Sequence, residues 1–100
     1  MIESFIEGRV RLRSPLLGDK KLAALLSDYL IKIDGITKAG VNTRTRGLLL
    51  EYDRGRFPLE RVKRIAPLLE RIAEVEKLPA GEREAALLSL LNEVKRLLID

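Results

Sequence analysis

Arg9, Arg11 and Arg13, spaced at every second position, form the group of side chains best suited to chemistry in this sequence. On an extended backbone that spacing puts all three on one face, because side chains alternate sides with a period of two. A guanidinium is permanently charged and offers a flat fork of donors, so a row of them fits carboxylates or phosphates. Lys38, Asn42 and Arg44 follow on a neighbouring strand and its turn, and they extend the same basic surface. The competing reading of the row is cross-strand ion pairing, Arg with Glu7 or Glu51. Nucleic acid is the alternative partner, yet a sheet that reads RNA also stacks bases on exposed aromatics. Tyr29 and Tyr52 read as inward, Phe57 adjoins a helix start, and only Phe5 falls on the arginine face. A second basic cluster, Thr43-Arg44-Thr45-Arg46-Gly47 with Arg54-Gly55-Arg56, reads as solvated loops.

Other chemistry is closed by composition. The chain has no Cys, no His and no Trp, and its one Met is the initiator. Thiolate and imidazole metal sites, disulfides and histidine acid–base catalysis are therefore excluded. Only carboxylates remain as side-chain ligands, and these suit hard ions. Glu70, Glu74, Glu76, Glu82 and Glu84 read as helix-surface charges paired with Arg71, Lys77 and Arg83. No cofactor and no enzymatic activity are expected.

At 100 residues, 46% apolar and 34% charged, the chain suits one domain with one core. Its net charge of +4 sits in the first half: residues 1–57 carry eleven Lys and Arg against seven Asp and Glu, and the remainder is balanced. No apolar run approaches the roughly 20 residues of a spanning helix. The opening Met1-Ile2-Glu3-Ser4 lacks the basic flank and apolar stretch of a signal peptide, so the expected address is the cytoplasm.

The elements that must position the arginines follow from periodicity. Residues 5–13 alternate in period two, with Ile6, Val10 and Leu12 on the core face and Phe5, Glu7 and the arginines opposite. Ser14-Pro15 ends that strand. Asp19 is a natural N-cap for a helix carrying Leu22, Leu25, Leu26, Tyr29, Leu30 and Ile33, stopped at Gly35. Two strands follow, over residues 36–43 and 48–53, joined by a turn as an antiparallel hairpin. Pro58 opens a second helix with Leu59, Val62, Ile65, Ala66, Leu69, Ile72 and Ala73 inward. Pro67 inside it predicts a kink near residues 63–67. Leu78-Pro79-Ala80-Gly81 is a short linker to a last helix over residues 82–98. The order predicts an α+β fold of ferredoxin-like type, β-α-β-β-α with an antiparallel sheet, its fourth strand replaced by a C-terminal helix.

The pieces Gly8-Arg9-Val10-Arg11-Leu12-Arg13-Ser14-Pro15, then Leu30…Gly35-Ile36…Val41-Asn42, then Gly47-Leu48-Leu49-Leu50-Glu51-Tyr52-Asp53 resemble a divergent branch of the heavy-metal-associated domains. The resemblance covers roughly residues 4–73. It implies a link to cation-transport proteins. In metal-carrying members two cysteines, spaced Cys-x-x-Cys, follow the first strand; here that loop is Ser14-Pro15-Leu16-Leu17-Gly18-Asp19, and no metal-binding residue carries over. A fainter resemblance to acylphosphatases, in Gly8-Arg9-Val10 and Asn42, lacks the glycine-rich phosphate cradle, whose place Pro15, Leu16 and Leu17 take.

Residues 1–78 thus read as the domain, and residues 79–100 as an amphipathic helix packed on it or on a partner. Leaving the stripe Leu87, Leu90, Leu91, Val94 and Leu97 in water would forfeit several kcal/mol at ~25 cal/mol per Å2. The expected function is a non-enzymatic protein-interaction module without soft-metal binding. Its partner is another protein or a second copy, met through Arg9, Arg11, Arg13, Lys38, Asn42, Arg44 and the leucine stripe. An anion or nucleic-acid binder is the alternative.

Overall fold

Gly8 folds the N-terminal stretch back on itself. The computed structural model describes residues 2–99, and the side chains of residues 2–98. At Gly8 the backbone adopts φ +95°, a region glycine enters without steric cost. The turn Glu7-Gly8 joins β1 (Ile2–Ile6) to β2 (Arg9–Arg13) as an antiparallel hairpin. The single strand expected over residues 5–13 is therefore corrected to two. The reversal pairs Phe5 with Val10 and Ile6 with Arg9. Phe5 consequently stands on the helix-covered side, 42% exposed, and Ile6 on the arginine side, 65% exposed. Uninterrupted alternation assigns both to the opposite faces.

The sheet has four antiparallel strands in the order β1-β2-β4-β3. β3 (Ile36–Asn42) and β4 (Gly47–Tyr52) form the expected hairpin. β4 also pairs with β2, from Arg9 opposite Glu51 to Arg13 opposite Gly47. Since β2 and β3 both run antiparallel to β4, they are parallel to each other. The edge of β2 left open by a three-stranded reading is covered by β1. The expected three strands are thus four, the extra one arising at the N-terminal end.

Helices cover one face of this sheet. After a short 3-10 turn (Pro15–Gly18), α1 (Lys20–Ile31) starts at Asp19, whose Oδ1 accepts from the backbone N–H of Lys21 at 2.9 Å and of Leu22 at 3.2 Å. A cap of this kind contributes about 1 kcal/mol. Leu22, Leu26 and Leu30 of α1, and Val62, Ile65 and Leu69 of α2 (Leu59–Glu70), join Val10, Leu12, Leu48, Leu50 and Tyr52 in one core. Gly35, at φ +95°, lets the chain turn against α2's approach: a Cβ there would lie 2.8 Å from that of Phe57. The interruption expected near residues 63–67 comes later. α2 runs through Pro67 to Glu70, breaks at Arg71 and resumes as α3 (Ile72–Glu76). Pro67 and Lys63, whose carbonyl Pro67 cannot serve, are both exposed, so water can take the orphaned group.

α4 (Ala80–Ile99) packs across α1, α2 and α3, beginning earlier than expected and shortening the linker. Its stripe is satisfied within the chain: Leu87, Leu91 and Val94 are at most 1% exposed. Polar contacts fix its register on the other helices. The Tyr29 hydroxyl donates to Asn92 Oδ1 at 2.6 Å, and Arg71 donates to Glu93 at 2.6 Å. Lys21 lies 3.1 Å from Glu84.

Candidate functional site

The face of the sheet turned away from the helices carries three cross-strand rows. Arg9, Glu51 and Lys38 form the first; Arg11, Leu49 and Gly40 the second; Arg13, Gly47 and Asn42 the third. A shallow depression of about 510 Å3 runs across them, with Arg11, Arg13, Lys38, Gly40, Asn42 and Leu49 in its lining. Period-two alternation put the three arginines side by side, as the sequence spacing requires.

Their electrostatic states differ. Arg9 donates to Glu51 Oε1 at 3.1 Å, its cross-strand neighbour. Arg13 lies 3.4 Å from Glu3, and Glu7 pairs instead with Arg54 at 3.6 Å. These pairs are exposed, and each stabilises the fold by about 1 kcal/mol or less. Arg11 and Lys38 make no ion pair or side-chain hydrogen bond among the described residues. Arg11 lies directly opposite Leu49, and Lys38 lies in the next row opposite Glu51, which Arg9 already engages, so both cations border the apolar floor that Leu49 provides. A leucine on the polar side of an alternating strand, between Leu48 and Leu50, is the signal that marks this floor in the sequence.

Asn42 and Arg44 sit at the β3–β4 turn beside this face. Asn42 Oδ1 accepts from the N–H of Arg44 at 3.0 Å and of Thr45 at 3.2 Å, so its side chain closes the β3–β4 turn. Arg44 rides at the tip of that turn, exposed. The leucine stripe does not join the arginines at all. Leu87, Leu90, Leu91 and Val94 are buried in the chain's own core, on the far side of the helix layer, and only Leu97 is exposed, at 39%. As partner contacts these four are corrected: packing against α1, α2 and α3 uses their surface. Phe5 likewise leaves the open face without the aromatic that base stacking needs.

The loop after β2 is turned inward. Ser14, fully buried, donates from Oγ to Glu76 Oε1 at 2.6 Å and accepts from the N–H of Leu16 at 3.2 Å. Leu16 and Leu17 enter the core at 3% and 1% exposure. A family model described as heavy metal associated domain 2 matches residues 1–100. The chain belongs to that family. No curated protein and no solved structure matches it. In this heavy-metal-associated domain the residues do not fit a soft metal cargo. The loop after β2 offers one hydroxyl, used twice, and one carboxylate, Asp19, used on the N-terminus of α1. The whole sequence contains neither thiol nor imidazole. Among the described residues, no three carboxylates gather where an ion could sit, and no helix is long and apolar enough to cross a membrane.

Proposed function

We propose that this heavy-metal-associated domain is a non-enzymatic interaction module, and that its open sheet face docks an acidic protein surface instead of carrying a soft metal. One observation carries the reading: Arg11 and Lys38, neither with an ion pair among the described residues, stand beside Leu49 on an uncovered sheet face. Carboxylates of a partner supply the missing charge, and Leu49 supplies apolar contact at the centre. A second copy is a poorer occupant of the same face, because two positive faces repel and the leucine stripe is spent inside the chain. The parallel pair β2 and β3, with β4 between them and α1 linking them, supports a ferredoxin-like core. In that core β1 takes the place beside β2 that a last strand usually holds.

The test titrates the protein with a short polyglutamate peptide and, separately, with an oligouridine of equal charge, following backbone amide resonances. The peptide should shift the amides of Arg11, Lys38 and Leu49, weaken as salt rises, and lose binding in Arg11→Glu. Tighter binding of the oligouridine at the same residues would transfer the face to nucleic acid. Equilibrium dialysis against Cu(I) and Zn(II) should show no tight stoichiometric uptake, and acyl phosphates should not turn over. Either opposite result removes the proposal.

A further inference from the structure

A second cleft lies on the other side of the molecule, where one end of the helix layer gathers three chain segments. Its volume is about 410 Å3, within the ordinary range for small-ligand sites. Tyr29, Lys32 and Ile33 come from the end of α1, Arg61 from the first turn of α2, and Lys95 and Leu98 from the end of α4. Leu98 is buried and Ile33 half-buried, so the floor is apolar. The rim is cationic. Lys32 and Lys95 make no ion pair or side-chain hydrogen bond among the described residues. Among the described residues, the Arg61 guanidinium has one partner, the Phe57 ring, 6.0 Å from its centroid. Among the described residues lining the cleft, Asp34 is the one carboxylate, and Arg56 already engages it.

Helix electrostatics account for one of these cations. Lys32 is the C-cap of α1, where positive charge complements the partial negative charge of free carbonyls, whereas Lys95 lies before the last turn of α4. Arg61 occupies the first turn of α2, the positive end of that helix, where an acidic residue would be favoured. Glu60 supplies the acidic residue of that turn, so the helix dipole does not account for Arg61, half-buried at the cleft. The Tyr29 hydroxyl hydrogen is committed to Asn92, so its ring forms a wall and donates nothing to a ligand.

We propose that this cleft binds a small amphiphilic anion: a carboxylate or phosphate head held by Arg61, Lys32 and Lys95, with a short apolar body on Ile33, Leu98 and the Tyr29 ring. The Arg61 fork suits either head group, and the floor selects against bare inorganic ions. The site is independent of the sheet face, since α1, α2 and the sheet separate the two.

Isothermal titration with octanoate, octyl phosphate, octanol and inorganic phosphate tests it on the full chain. Octanoate or octyl phosphate should bind with a Kd at or below about 1 mM, and octanol and inorganic phosphate at least about tenfold more weakly. Arg61→Gln should weaken the binding by about tenfold or more while the thermal unfolding midpoint stays close to wild type. Arg11→Glu, on the opposite face, should leave it unchanged. The proposal fails if no probe binds, if octanol binds as well as octyl phosphate, or if Arg11→Glu weakens binding as much as Arg61→Gln. It fails too if the protein sediments with phosphatidylglycerol vesicles yet ignores both octyl anions, since that result reads a bilayer surface and not a cleft.

Discussion

The two faces of β2 share a backbone and differ in everything else. Val10 and Leu12, 4% and 2% exposed, are enclosed by Leu48, Leu50 and the helices, while Arg9, Arg11 and Arg13 stand in water on the other side. Many weak contacts hold the first face, so each of its side chains stabilises the fold. The second face is held by a few charges, two of them answered by Glu51 and Glu3 and one, on Arg11, with no ion pair among the described residues. Stability and the proposed docking are therefore expected to separate along a single strand. Substitutions on one side should move the unfolding midpoint; those on the other should move binding.

The largest expected effect lies deepest on the packed side. Leu91→Glu forces a carboxylate into a site 1% exposed, at a cost of about 4 kcal/mol or more; circular dichroism should show the chain largely unfolded. Next, Leu12→Ala should cost about 3 kcal/mol by urea denaturation, through lost burial and a residual cavity. Ser14→Ala should cost about 2 kcal/mol, because it leaves Glu76 and the Leu16 N–H without their shared hydroxyl. On the charged side, Arg9→Ala should cost about 0.5 kcal/mol, the scale of an exposed pair, and that cost should shrink further in high salt. Smallest in stability is Arg11→Glu, within about 0.5 kcal/mol of wild type, although it should abolish polyglutamate binding. Should Arg11→Glu destabilise the fold as much as Leu12→Ala, the separation of the two faces is wrong.

Much of this was legible beforehand. Helical spacing in α1, the Asp19 cap, the β3–β4 hairpin and the breadth of the last helix all follow from local rules, and all are present. The N-terminal hairpin was not legible, because residues 5–13 alternate so regularly that Gly8 reads as a gap in one strand. Only its φ of +95° and the pairing of Phe5 with Val10 reveal the turn. The arginine row could be read from spacing, since a period of two survives the turn. Which arginine lacks an ion pair among the described residues could not, because it depends on β4 bringing Glu51 opposite Arg9 and Leu49 opposite Arg11. The cleft around Arg61 was equally hidden: its three cations are far apart in the chain and meet only where three helices end.

Residue types and their periods determine, without any coordinates, that this chain cannot grip a soft ion through thiolate or imidazole, that three guanidinium groups share one face, and that a leucine stripe near its end must be covered. These are properties of single elements, governed by composition and by the 2.0 and 3.6 residue repeats. What covers the stripe, which charges find a partner and where clefts open are properties of contacts between elements distant in sequence. Long-range register and packing decide them, and no local period encodes either.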